Sequence, residues 1–163
     1  MPASTMELRL DTPARDDVLR LLQEHLADMY ATSPAESVHA LDPDALKHPA
    51  VTFWTVREHG QLLGCGALKE LSAQEGEIKT MRTAVPARGR GVAGVVLQGI
   101  IGEARSRGYR ALFLETGTED FFAPARRLYA RHGFEACPPF GGYREDPNSI
   151  FMRLDLAQIR TDS

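Results

Sequence analysis

Residues 88–94 read Arg88-Gly89-Arg90-Gly91-Val92-Ala93-Gly94 and run straight into the apolar Val95-Val96-Leu97. A glycine-rich turn that opens a helix leaves backbone N–H groups unpaired and sets the positive end of the helix dipole at the same spot. That combination binds phosphate. Gly89, Gly91 and Gly94 satisfy the dinucleotide pattern G-x-G-x-x-G, with Glu115 about where an acidic residue would reach a ribose. In that pattern a strand runs directly into the first glycine, whereas here Pro86 stands two residues before Arg88 and ends any ladder pairing. The ATP-type loop fails because no Lys-Ser or Lys-Thr follows.

A second cluster lies forty-one residues beyond Arg88, where Tyr129 sits in Leu128-Tyr129-Ala130-Arg131-His132-Gly133-Phe134. Arg88, Gly91 and Ala93 fit a pyrophosphate loop of the form R/Q-x-x-G-x-G/A, and Leu128, Tyr129, Gly133 and Phe134 fit L-Y-x-x-x-G-F. In this order, with the strand-like residues 77–83 just upstream, they make the chain resemble the GNAT N-acetyltransferases. Residues 33–41, 64–71, 114–117 and 145–149 are similar to the bacterial YsnE-type branch of that superfamily, and the likeness spans residues 25–154. The resemblance implies the acyl-CoA N-acyltransferase fold, an α/β (α+β) architecture. Its mixed, mostly antiparallel sheet has one parallel splayed pair and helices on both faces. Acetyl-CoA is the implied co-substrate and a small primary amine the implied acceptor, with direct attack in a ternary complex. A non-catalytic acetyl-CoA sensor or interaction module on the same fold is the alternative reading.

Transfer from a thioester to an amine needs a held donor, an unprotonated amine, stabilisation of charge at the carbonyl oxygen, and a proton for the departing thiolate. The backbone of Arg88, Gly89, Arg90, Gly91, Val92, Ala93 and Gly94 is expected to cradle the pyrophosphate. An open edge along Met81, Arg82 and Thr83 can pair with the pantetheine arm as another strand would, and an N–H near Met81 or Arg82 would face the oxyanion. Phe122 and Arg126 complete the expected donor contacts, Phe122 standing where family members often carry Asn. An aliphatic ammonium has a pKa near ~10, so something must accept a proton before attack. Glu77, which matches a carboxylate used by several relatives, is the first candidate base, and Glu115 the second. Tyr129 is the expected acid, because passing a proton from a phenol near ~10 to a thiolate near ~8.5 costs only about 2 kcal/mol. His25, Tyr30, His39 and Arg82 are the candidate acceptor contacts, with Trp54 or Tyr143 as walls. An Arg82 clamp would favour amino acids or related carboxylated amines.

Composition narrows the partners. The chain has 163 residues, 43% hydrophobic and 25% charged, as in a single globular domain. Two cysteines without C-x-x-C spacing or nearby histidine pairs argue against a zinc site, so no metal is expected. Residues 1–77 hold six Arg/Lys against thirteen Asp/Glu, while residues 82–131 hold nine Arg against four Asp/Glu. The basic half carries the glycine turn and suits a ligand with several phosphates. An acidic chain with no basic stripe interleaved with aromatics speaks against nucleic acid. Nothing approaches 18 consecutive apolar residues, so no membrane partner and a cytoplasmic location are expected. A second copy of the chain is admitted as a partner.

Periodicity supplies the elements that must position these groups. Residues 7–11 alternate as a first strand, Thr12-Pro13 signals a helix start, and apolar residues at helical spacing carry that helix to about Tyr30. Residues 33–40 read as loop or short helix and 43–47 as another short helix. Strands follow at 51–56, 62–71 and 77–83, then a helix over about 89–107 ended by Gly108 and a parallel strand at 111–115. A helix from Phe122 or Ala123 stops at Gly133, and residues 134–137 and 150–156 close the sheet as a hairpin with a long connection.

Overall fold

The computed structural model of the protein describes residues 6–32 and 45–156. Strand β1 (Glu7–Leu10) lies where the alternation places it. The helix behind it starts later than the Thr12-Pro13 signal implied, since α1 runs Asp16–Thr32. Local hydrogen bonds explain the delay: the Asp11 carboxylate accepts the Thr12 N–H at 2.8 Å and Arg15 Nε at 2.6 Å, and Thr12 Oγ1 accepts the Ala14 N–H at 3.1 Å. These bonds close a turn that competes with the helix. Residues 33–44 lie outside the described residues, and with them His39; the short helix expected over 43–47 is a single 3-10 turn, Ala45–Lys47.

Strands β2 (Val51–Glu58), β3 (Gln61–Ser72) and β4 (Glu75–Thr83) form an antiparallel meander. Helix α2 (Val92–Ser106), β5 (Ala111–Gly117), α3 (Ala123–Arg131), β6 (Glu135–Cys137) and β7 (Ser149–Asp155) follow. Helix α2 opens at Val92 rather than Gly89 because Gly89 and Gly91 both take φ of 82°, the left-handed region that a right-handed helix excludes. Gly108 and Gly133, at φ of 80° and 98°, stop α2 and α3 as the sequence indicates.

The seven strands form one sheet in the order β1-β2-β3-β4-β5-β7-β6. Its only parallel neighbours among the described residues are β4 and β5, joined by the α2 crossover. They pair over three positions, Glu75 with Ala111, Gly76 with Leu112 and Glu77 with Phe113. Beyond that point β4 continues to Thr83 and β5 to Gly117 without pairing each other, so the sheet opens into a V. The expected closing hairpin is present, but β7 lies inside the sheet, pairing β5 along its whole length and leaving β6 at the edge.

Helices α2 and α3 cover one face over a core that includes Trp54, Leu68, Ile78, Val96, Ile100, Leu112 and Tyr129. Helix α1 and the 45–47 turn cover the other over Val18, Leu22, Leu46, Phe53, Cys65 and Ala67. Cys65 and Cys137 are free, and burial pushes the Cys65 thiol up to about 12, as befits a packed hydrophobe. Close approach seats α2 on β3. A Cβ on Gly66 would stand 2.5 Å from Val96 Cγ1 and 2.9 Å from Met81 Sδ. Gly66→Ala is therefore expected to lower the unfolding free energy by about 1–3 kcal/mol in urea titrations, because the helix must shift to admit one methyl. Among the described residues no helix is long and apolar enough to cross a membrane.

Candidate active site

The V between β4 and β5 holds a cavity of about 90 Å³ that reaches both faces of the sheet. Its β4 wall carries Glu77, Ile78, Lys79, Thr80 and Met81, its β5 wall Leu114, Glu115 and Thr116. His25 and Met29 of α1 close it on one face, and Phe122, Ala125 and Tyr129 on the other. Tyr143, from the connection between β6 and β7, completes the lining.

A bulge shapes the β4 wall. Ala67 of β3 pairs with Lys79 and Cys65 with Arg82, so two steps on β3 face three on β4. Thr80 takes φ of 58°, rare for a β-branched residue, and its carbonyl accepts the Cys65 thiol at 3.6 Å. The extra residue sends Met81 into the α2 core and Arg82 to the α1 side.

Glu77 is 3% exposed, and it is not alone. The Tyr143 O–H donates to Glu77 Oε2 at 2.6 Å, Lys79 Nζ donates to Tyr143 Oη at 2.8 Å, and Lys79 Nζ lies 3.3 Å from the same Oε2. A buried charge thus has an opposite charge and a hydrogen bond. Burial and the facing Glu77 carboxylate drive the Tyr143 phenol far above its ordinary range, so it stays a donor. Glu115 Oε2 accepts the Ser149 hydroxyl at 2.7 Å. Tyr129 is 7% exposed, packs edge-on against Phe134 at 5.8 Å, and is pushed well up by burial and then by the Glu115 charge. Its proton is therefore present at neutral pH.

From sequence alone Tyr143 stands only as a wall and Lys79 has no assigned part. A strand that alternates Glu77 and Lys79 on one face against Ile78 on the other carries opposite charges two residues apart, and that is the signal available for Lys79. Nothing local marks Tyr143, which reaches Glu77 across 66 residues.

The acceptor-side candidates divide. His25 and Met29 line the cavity, and burial with the neighbouring Arg82 cation pushes His25 down to about 4, leaving a neutral imidazole. Tyr30 is 57% exposed and does not line the cavity, so α1 turns it to solvent rather than to the site. Trp54 is not a wall either, being buried in the α2-side core. Arg82 is buried with Nη1 2.7 Å from Asp28 and Nη2 3.8 Å from Glu24, both on α1. Among the described residues its Nε, also buried, has no hydrogen-bond partner. The guanidinium fork is engaged by these α1 acids.

The glycine turn makes an open concavity at the start of α2. Gly91 is the N-cap, with φ 82° and ψ 14°, and no side chain caps it. A Cβ on Gly89, Gly91 or Gly94 would meet nothing within 4 Å, so the first N–H groups of α2 face free space that accommodates a bulky anion. Arg88 is exposed beside them, while Arg90 reaches Glu58 at 2.6 Å. Val92 is buried against Gly64. Phe122 is buried over Gly117 and lines the cavity. Arg126 has other employment: Nη1 donates to the carbonyls of Gly117 and Glu119, tying the end of β5 to α3 instead of reaching toward a donor.

A sheet opened between parallel neighbours, with an anion cradle beyond the first and a buried tyrosine helix beyond the second, is the acyl-CoA N-acyltransferase architecture. The chain belongs to the acetyltransferase (GNAT) family, whose model matches residues 18–134. It is 50% identical over 151 residues to the uncharacterized N-acetyltransferase YsnE of Bacillus subtilis (strain 168), covering 93% of this chain and 100% of that one. To the IAA acetyltransferase of Azospirillum brasilense it is 39% identical over 150 residues, 90% of this chain and 95% of that one. The crystal structure of a GNAT family acetyltransferase from Elizabethkingia anophelis with acetyl-CoA bound shares the fold. Its TM-score is 0.67 at 17% identity, over 94% of this chain and 100% of that one. Acetyl transfer is accordingly the activity class of this protein.

Proposed function

We propose that the chain transfers acetyl from acetyl-CoA to the primary amine of a small molecule by direct attack in a ternary complex. One observation carries this reading: a single small cavity is lined by Glu77 on β4 and by Tyr129 from the opposite side of the sheet. A carboxylate and a phenol on either side of one reacting centre are what proton removal from an ammonium and proton delivery to a thiolate require.

The residues divide the work accordingly. N–H groups of residues 89–94 hold the pyrophosphate of acetyl-CoA, which supplies an activated acetyl thioester when bound. From Ile78 to Thr83, β4 pairs β3 but no longer β5, and the edge it turns to the V is offered to the pantetheine amides, as to an added strand. Backbone N–H groups at Met81 or Arg82 face the carbonyl oxygen as negative charge grows there. Glu77 accepts the amine proton, with Glu115 as the second candidate, and Tyr129 delivers its proton to the leaving sulfur. His25 and Met29 bound the acceptor side. For a carboxylated amine the supporting feature is Arg82 Nε, a buried donor that has no partner among the described residues.

Turnover of acetyl-CoA with a panel of amines, in wild type and Glu77→Gln, tests the reading. Loss of the base is expected to lower kcat by roughly 100-fold or more and to remove the acidic limb of the pH–rate profile. The fold control is an acetyl-CoA-induced rise in melting temperature equal to that of wild type. A Glu77→Gln profile identical to wild type would move proton acceptance to Glu115 or to water.

A further inference from the structure

Both contacts on the Glu77 carboxylate fall on one oxygen. Tyr143 O–H and Lys79 Nζ meet Oε2 at 2.6 and 3.3 Å and meet each other at 2.8 Å, while Oε1 carries neither. The three groups close a triangle, and a carboxylate held at one oxygen from two directions cannot rotate freely. Tyr143 is itself fixed from outside the site. Its ring packs against Phe140 at 5.0 Å and Phe151 at 5.4 Å, and Phe140 stacks on Phe113 at 4.8 Å. Phe113 is the β5 neighbour of Glu77 in the last pair before the strands part. The aromatic group therefore ties the β6–β7 connection to the apex of the V and delivers one polar atom into it.

We propose that Tyr143 is a positioning residue for proton transfer, holding Glu77 through Oε2 so that Oε1 is the oxygen that takes the amine proton, with Lys79 keeping the phenol oriented as donor. This rests on Glu77 as the base. The charged and titratable groups around Glu77 are Lys79 on its own strand, Lys69 opposite it on β3, Glu115 on β5, His25 on α1, Tyr129 of α3 across the cavity, Tyr143 from the connection, and Arg153 of β7 beyond Phe113. Of these, Tyr143 and Lys79 touch the carboxylate.

The test is a double-mutant cycle with Tyr143→Phe and Glu77→Gln, read as kcat against pH. Phe keeps the ring and its aromatic neighbours, so the fold and the KM for acetyl-CoA should stay as in wild type. Alone, Tyr143→Phe is expected to lower kcat roughly 10- to 100-fold and to move the acidic limb to higher pH, because the carboxylate loses a donor to its charged form. In the Glu77→Gln background it should change kcat less than twofold. Lys79→Met should move the acidic limb in the same direction. Equal effects of Tyr143→Phe with and without Glu77 would overturn the proposal while leaving the base in place, and so would an unmoved limb in Tyr143→Phe. If Glu77→Gln itself changes nothing, the base assignment fails first.

Discussion

Gly91→Asp is expected to erase the thermal stabilisation that acetyl-CoA confers while leaving the free protein folded. A ligand at one hundred times its Kd adds about 2.7 kcal/mol to the stability of a native state that alone binds it, so the wild-type melting temperature should climb with ligand concentration. Gly91 is the N-cap of α2 in the left-handed region, and a Cβ there meets nothing within 4 Å. The backbone conformation costs an L-residue roughly 1–2 kcal/mol, and Asp is among the residues that adopt it most readily. The carboxylate would occupy the space in front of the first helical N–H groups, neutralising their field and repelling a pyrophosphate. A loss of at least about 100-fold in affinity, near 2.7 kcal/mol, is the expected size. Calorimetry on the folded variant measures it, and unchanged affinity would remove the anion cradle from residues 89–94.

Tyr129→Phe should act on the chemical step alone, lowering kcat by roughly 10- to 1000-fold with acetyl-CoA binding nearly intact. The ring packs against Phe134 and the α2-side core, contacts that Phe reproduces. Among the described residues no hydrogen bond holds the hydroxyl, so its removal should cost the fold little. Burial and the Glu115 charge keep the phenol protonated at neutral pH and make it a weaker acid than a free phenol, so passing its proton to a thiolate near ~8.5 costs more than the about 2 kcal/mol that ordinary values imply. A leaving group of lower basicity should narrow the gap between variant and wild type. An unchanged rate with acetyl-CoA would return Tyr129 to a packing role.

What the sequence disclosed is what depends on near neighbours. The glycine turn, Gly108 and Gly133 as helix stops, and the meander from Val51 to Thr83 are local in cause, because left-handed backbone and alternation are written within a few residues. Thr12 misled for an equally local reason: Asp11 competes for the same N–H groups and delays the helix to Asp16. The placement of β7 between β5 and β6 depends on pairing across the sheet, which no window of sequence contains. The same distance hid the triangle around Glu77, built from residues 64 and 66 positions apart. Arg82 is legible as a candidate contact, but its partners Asp28 and Glu24 belong to a helix whose docking angle the sequence does not encode locally.

The bulge at Thr80 can be read as a change of phase. Up to Lys79 the odd-numbered residues of β4 face α1, and past the bulge the even-numbered Arg82 does. One strand therefore carries two registers. The half before the bulge sets Glu77 and Lys79 on a common side, where the proposed mechanism puts its proton chemistry, and the half after it, whose backbone that mechanism offers to the donor, returns Met81 to the core. Straightening the strand with every residue kept would swing Arg82 into the apolar layer beneath α2 and Met81 out to the acids of α1, whereas deleting Thr80 would restore plain alternation with both on their present faces. A one-residue insertion or deletion elsewhere between Glu75 and Thr83 would turn one half of the strand over relative to the other. Within that span the strand behaves as an indivisible gear tooth that fixes how the two halves of the site mesh.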